Sequence, residues 1–112
     1  MKKNNRIYEL RIYTSNPGKL AALISRFNVY TQYMFVRHRM KLEGFWIPVE
    51  NEEQKIVYLL SFPDQSSREA SWKEMSADPE WLLIKEESNC HGELLKAIQV
   101  LPMVPAGFSP LK

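Results

Sequence analysis

Three polar residues that could do chemistry together share one face of the first predicted strand. Apolar and polar residues alternate over positions 7–13, and this period of two places Glu9, Arg11 and Tyr13 on the same side. They supply a base, a fixed cation for a carboxylate or an oxyanion, and a phenolic donor, which is the mixture that a proton-transfer or oxygen-activating pocket needs. The structural alternative is an ion pair and a tyrosine hydrogen bond that tie two subunits together, and we favour it for Glu9.

His38 is the other candidate for chemistry. It ends a predicted helix of about five turns, whose apolar stripe follows spacings of three and four. The stripe consists of Leu20, Leu23, Ile24, Phe27, Thr31, Met34, Phe35 and His38. A neutral imidazole that points from there towards the sheet could accept a proton near pH 7 or bind a ligand oxygen. Alternatively, it is a half-buried histidine that caps the last carbonyl groups of the helix.

The remaining patterns complete one α+β domain over residues 1–112, with a flexible segment at 1–5. A second helix, which carries Trp72 and Met75, ends at Asp78 because Pro79 disfavours helix in the residue before it. The other elements are strands at 42–50, 55–62 and 93–101, a turn at 51–54, a short helix at 80–88 and an extended proline-rich tail at 102–112. This order, β-α-β-β-α-β, predicts a ferredoxin-like fold with a four-stranded antiparallel sheet.

Composition excludes several classes of partner and site. Fifteen basic and thirteen acidic residues leave a net charge of +2, too weak a field to indicate nucleic acid or an anionic membrane. The one cysteine, Cys90, cannot form an internal disulfide, and no apolar run approaches the roughly 20 residues of a membrane helix. We therefore expect a cytoplasmic protein. No phosphate loop or metal-ligand spacing is present, so we expect no cofactor and no metal.

Both faces of the predicted sheet are apolar, although the helices of this fold cover only one of them. Val57 and Leu59 alternate with Tyr58 and Leu60, and a second strand places Phe45, Ile47 and Val49 opposite Leu42 and Trp46. Four strands of this length project roughly 400 Å² per face, close to the largest apolar patch of a soluble monomer. We predict a homodimer in which two sheets face each other. A monomer whose tail folds over the face is the alternative.

Four short motifs resemble NIPSNAP-type domains. They are Tyr8-Glu9-Leu10-Arg11-Ile12-Tyr13 with Pro17-Gly18-Lys19-Leu20, His38 with Lys41-Leu42-Glu43-Gly44-Phe45-Trp46, Asp78-Pro79-Glu80-Trp81, and Phe108-Ser109-Pro110-Leu111. The resemblance covers the chain from Arg6 onward and implies a dimeric α/β barrel. That superfamily also holds haem-degrading and cofactor-independent monooxygenases and muconolactone isomerase-like enzymes. The NIPSNAP family itself has no agreed catalytic activity, so the resemblance implies no reaction.

The sequence departs from the family pattern at three positions. Arg39 stands where the family often has glycine, and Tyr58 and Leu60 stand where a histidine and a tryptophan are usual. If those positions serve a ligand in relatives, the ligand here differs, and we expect Tyr58 to contact it. Trp46 could form a stacking wall for a flat ligand, although a strand tryptophan is more often a core or dimer contact. We interpret the remaining aromatic and apolar candidates as packing first: Trp72, Trp81, Phe27, Tyr30, Met34 and Phe35.

Two functional hypotheses follow. One is an oxygenase or isomerase for a small aromatic compound, with His38 as base, Arg11 and Tyr13 as oxyanion donors and Trp46 as a wall. A cavity of roughly 300 Å³ or more that contains these groups would support it. The other, which we place slightly ahead, is a non-catalytic homodimer that binds a small apolar or aromatic molecule or a partner protein. In that case Glu9 pairs with Arg11.

Overall fold

The protein folds as a layer of helices on a four-stranded antiparallel sheet. The computed structural model describes residues 5–112, so nearly all of the segment predicted to be flexible lies outside the described residues. The strands are β1 (Ile7–Ser15), β2 (Lys41–Trp46), β3 (Lys55–Phe62) and β4 (Leu95–Met103), in the spatial order β2-β3-β1-β4. Every neighbouring pair is antiparallel, and the ferredoxin-like prediction is confirmed.

The helices occupy the predicted places in the chain. They are α1 (Leu20–Arg26), a π-helical segment (Phe27–Thr31) that continues it, α2 (Gln32–Arg37), α3 (Gln65–Ala77) and α4 (Pro79–Ser88). Carboxylates cap the N-termini of the last two helices. Asp64 accepts a hydrogen bond from the backbone N–H of Ser67 at 2.8 Å, and Asp78 accepts one from that of Glu80 at 2.9 Å. Among residues 5–112, no helix is long and apolar enough to cross a membrane.

Two strand predictions need correction. β2 ends at Trp46 instead of residue 50, and β4 runs two residues further along the chain than predicted. Because β4 is an edge strand, it tolerates Pro102, which has no N–H to donate. The register of β2 also shifts between Leu42 and Gly44. A one-residue shift moves the following side chains to the other face, so Leu42 and Trp46 do not share a face as predicted.

The core lies between the helices and the sheet. At its centre Tyr58 is fully buried, and its ring centroid lies 5.1–5.6 Å from those of Tyr13, Phe27, Phe35 and Phe45. Phe27, Met34 and Phe35 are buried as predicted, whereas Tyr30 is 48% exposed. The helices therefore cover the face of β1 that carries Glu9, Arg11 and Tyr13.

The opposite face of the sheet is only partly covered. Residues of the C-terminal tail lie beside Tyr8 and Leu59, and Tyr8 is buried. Further across this face, Leu101 and Trp46 remain about half exposed, at 49% and 52%. The tail therefore shields one end of the apolar face and leaves the rest open.

Candidate ligand-binding site

A cavity of about 160 Å³ lies between the helix layer and the sheet. Six aromatic side chains contribute to its wall: Tyr13, Phe27, Phe35, Tyr58, Trp72 and Trp81. Buried residues such as Phe35 close its inner end, whereas the half-exposed Ile98 of β4 and the exposed Lys85 of α4 stand at its open side. The cavity is smaller than the roughly 300 Å³ that the enzyme hypothesis required.

Tyr13 and Tyr58 form the polar floor of this cavity. Their hydroxyl groups are buried and hydrogen-bonded to each other at 2.8 Å. Burial raises the pKa of Tyr58 well above its ordinary value, so its phenol stays protonated. Two hydroxyl groups carry two protons, and a single hydrogen bond between them uses one. The pair can therefore donate one more hydrogen bond to a ligand.

Arg26 supplies a buried cation at the same cavity. Its side chain is 5% exposed, and Nη1 donates to the hydroxyl of Ser88 at 3.1 Å. Its Nε is buried and has no hydrogen-bond partner. Burial lowers the pKa of Arg26, while Tyr13, Tyr58 and Glu93 act in the opposite direction. This guanidinium therefore keeps unused donor capacity inside the fold.

The π-helical segment shapes the wall next to Arg26. Its first and last residues, Phe27 and Thr31, both line the cavity. The hydroxyl of Thr31 donates to the backbone carbonyl of Arg26 at 3.3 Å, so this carbonyl has a hydrogen-bond donor within the widened turn. Single π turns inside helices occur often at functional sites. Here the turn lies on the helix wall of the cavity.

A second depression, of about 190 Å³, adjoins the cavity at Arg26. It shares Arg26, Lys85 and Leu95 with the inner cavity and adds Asn89 and Glu93. We call the cavity of about 160 Å³ the Arg26 cavity and this second depression its mouth. The mouth thus carries two cations, Arg26 and Lys85, and one carboxylate, Glu93.

Glu9 belongs to a buried ion-pair cluster beside the cavity. Its carboxylate is fully buried and accepts hydrogen bonds from Arg11 Nη1 at 3.1 Å, Arg68 Nε at 2.5 Å and Trp72 Nε1 at 3.1 Å. The guanidinium of Arg11 stacks on the ring of Trp72, 4.1 Å from its centroid. Glu9 and Arg11 do not line the cavity, but they fix Trp72, which does. The Glu9–Arg11 ion pair forms within a single chain.

His38 lies away from the cavity, at the junction of α3 and α4. Its Nε2 is 2.7 Å from the carboxylate of Asp78, and its Nδ1 is 3.7 Å from that of Glu74. The hydrogen bond from His38 lowers the pKa of Asp78 below its ordinary value. The imidazole therefore joins the end of α2 to the other helices and does not point to the sheet.

The structure also separates Trp46 from the other predicted site residues. Trp46 pairs with Val57 on the helix-free side, and its ring lies over Gly44, where a β-carbon would come within 2.9 Å of it. Of the predicted site residues, only Tyr13 and Tyr58 line the cavity. In the part of the chain that the structure describes, no group of three or more His, Cys, Asp or Glu side chains is placed to hold a metal ion.

Comparison with known proteins settles the family. The sequence profile of the NIPSNAP family matches residues 8–110. The chain belongs to the NIPSNAP family. No curated protein matches the sequence at a significant level.

Solved structures of other NIPSNAP proteins share this fold. A NIPSNAP family protein with unknown function from Agrobacterium tumefaciens is 23% identical, with a TM-score of 0.84 over 99% of this chain and 97% of its own. A NIPSNAP-like domain protein from Burkholderia xenovorans is also 23% identical, with a TM-score of 0.81 over 96% and 91% of the two chains. SnoaB, a cofactor-independent oxygenase from Streptomyces nogalater, is 15% identical, with a TM-score of 0.62 over 95% and 98%. At these identities the likeness concerns the fold alone.

Several residues around the candidate cavity of this NIPSNAP domain are not indicated by the sequence pattern. Arg26 gave one usable signal, since it lies three residues after Leu23 and beside Phe27, a charged residue at the border of an apolar stripe. The sequence predicts that Trp72 packs in the core, but its half-buried indole N–H also donates a hydrogen bond. Its acceptor, Glu9, is 63 residues away in the chain. No local pattern indicates that pairing.

Proposed function

We propose that this NIPSNAP domain binds one small aromatic or apolar molecule in the Arg26 cavity and works as a homodimer. The observation that carries the proposal is a cavity of about 160 Å³ with six aromatic side chains in its wall and polar groups at one side. A cavity of roughly 150 Å³ in a protein core holds a molecule the size of benzene. A single ring with small substituents therefore fits, and a polycyclic compound does not.

The composition of the wall favours binding over catalysis. Its ionisable members are Tyr13, Tyr58, Arg26 and Lys85, and it contains neither a histidine nor a carboxylate. A general base must lie within hydrogen-bond reach of the proton that it removes. His38, which was the candidate base of an oxygenase or isomerase, is instead bonded to Asp78. The fold shared with SnoaB does not supply the missing base.

The dimer would place the helix-free face of one sheet against that of a second copy. Leu101 and Trp46 on this face are about half exposed, and Phe108 in the tail is 93% exposed. Leu101 and Trp46 lie on the two edge strands of the sheet, and exposed apolar side chains that span one face in this way are typical of an interaction surface. Pairing of two identical faces about a two-fold axis is the commonest way to cover them.

A cavity-filling variant tests ligand binding. Ile98→Trp places a larger side chain at the open side, and we expect it to abolish binding while Tm changes little, because Ile98 is 47% exposed. Val100→Trp is the matched control, since Val100 lies on the same side of the same edge strand but does not line the cavity. Native mass spectrometry of the purified protein would detect a retained molecule, and isothermal titration calorimetry with a monocyclic aromatic compound would compare the affinities of the wild type and both variants. Equal binding by wild type and Ile98→Trp would contradict the proposal.

A further inference from the structure

Arg26 differs from the other deeply buried charge of the domain. Glu9, which is fully buried, has two guanidinium groups within hydrogen-bond distance. Arg26 is 5% exposed, yet no carboxylate among residues 5–112 is within ion-pair distance of it. Buried charges are normally paired because their removal from water is costly. The fold therefore leaves one buried cation without its anion.

The immediate neighbours of Arg26 do not replace that anion. The hydroxyl of Ser88 accepts one hydrogen bond, the ring of Trp81 lies 5.8 Å away, and Nε remains unpartnered. Glu93 lies in the mouth and favours the charged form of Arg26, but it forms no ion pair with it. A neutral hydroxyl and an aromatic face compensate a desolvated guanidinium less than a carboxylate does.

The other polar groups around the cavity are also donors. Lys85 stands at the opening, with its ammonium group 5.9 Å from the ring centroid of Trp81. The Tyr13–Tyr58 pair retains one O–H that can donate. The hydroxyl of Thr31, the remaining polar side chain in the wall, already donates to the carbonyl of Arg26. Two cations and one free O–H therefore favour a ligand that brings acceptors and negative charge.

We propose that the ligand of the Arg26 cavity is a monocyclic aromatic carboxylate, whose carboxylate binds Arg26 and whose ring lies among the aromatic side chains. This inference rests on the proposed function and adds the chemical class of the ligand. Lys85 attracts the anion to the mouth, and Glu93 opposes a second negative charge there. The cavity volume of about 160 Å³ limits the ligand to one ring.

Benzoate and benzamide test the proposal by isothermal titration calorimetry, because they match in size and differ in charge. We expect wild-type protein to bind benzoate at least about tenfold more tightly than benzamide, since hydrogen bonds to an ionised group are about twice as strong as neutral ones. Arg26→Gln should remove this preference, because it should weaken benzoate binding by about tenfold or more and benzamide binding much less. Acetate, which lacks the ring, should bind weakly or not at all.

Two further variants keep the test decisive if Arg26→Gln fails to fold. Lys85→Gln should weaken benzoate binding about two- to fivefold through the loss of a partly screened charge. Lys73→Gln, which removes an exposed lysine of α3 outside the cavity wall, should not change it. If benzamide binds as tightly as benzoate, the anion inference is wrong while the proposed function stands. If neither probe binds, the anion inference is also wrong. If, in addition, Ile98→Trp retains or binds small molecules as the wild type does, the proposed function fails as well.

Discussion

The imidazole Nε2 of His38 lies 2.7 Å from the carboxylate of Asp78, and this contact joins the end of α2 to the junction of α3 and α4. The same aspartate caps α4 through the backbone N–H of Glu80. A histidine that the sequence offered as a catalytic base therefore contributes to the assembly of the helix layer. This arrangement gives the first prediction.

His38→Ala should lower Tm by roughly 5 °C and leave ligand binding in the Arg26 cavity unchanged, because His38 does not line it. His91→Ala is the matched control, since His91 is exposed, and it should leave Tm unchanged. Thermal unfolding followed by circular dichroism measures both variants. A loss of ligand affinity in His38→Ala at unchanged Tm would restore the catalytic interpretation of His38.

The free energy of unfolding should fall in acid because the two capping aspartates become protonated. Hydrogen bonds lower the pKa of Asp64, chiefly through the backbone of Ser67, and that of Asp78, chiefly through His38. A lowered pKa in the folded state means that the stabilisation is complete above the ordinary value of 3.8 and is lost as the pH falls through the folded-state value. Urea unfolding between pH 6 and pH 2.5 should show this loss.

Asparagine variants of the two capping aspartates are the control for this acid dependence. Asparagine caps a helix nearly as well as aspartate but does not titrate. Asp64→Asn and Asp78→Asn should therefore each flatten the acid part of the stability profile. A profile identical to that of the wild type in both variants would assign the acid dependence to other groups.

Glu9→Gln should reduce the free energy of unfolding by about 3 kcal/mol, because it leaves Arg11 and Arg68 near a buried neutral amide. Urea denaturation monitored by tryptophan fluorescence measures the change. Glu69→Gln on the exposed side of α3 is the control, and its effect should be within about 0.5 kcal/mol. A loss below 1 kcal/mol for Glu9→Gln would mean that the cluster is not a stabilising centre.

The proposed dimer predicts different effects for two adjacent residues of β4. Leu101 pairs with Leu10 on the helix-free face, whereas Val100 pairs with Arg11 on the helix side. Sedimentation equilibrium should give about twice the chain mass of 13.2 kDa for the wild type and for Val100→Lys. Leu101→Lys should shift the protein towards the mass of one chain. A wild-type protein that sediments as a single chain would contradict the dimer.

The sequence alone placed Glu9, Arg11 and Tyr13 on one face, because the two-residue period of a strand is a local property of the backbone. It also located the helices, since proline and the capping aspartates determine where a helix can begin or end. The bulge at Glu43 was not visible in the pattern, and it changed the face on which Leu42 lies relative to Trp46.

Tertiary structure decided the site itself. The Tyr13–Tyr58 hydrogen bond joins residues 45 positions apart, and the Trp72–Glu9 hydrogen bond joins residues 63 apart. Such contacts depend on strand register and on how helices pack against the sheet, and neither follows from local periodicity. The burial of Arg26 without an anion also depends on how the helix layer packs against the sheet. The sequence therefore determined which side chains share a face of each strand. Packing determined which side chains from different elements meet and where a cavity remains between them.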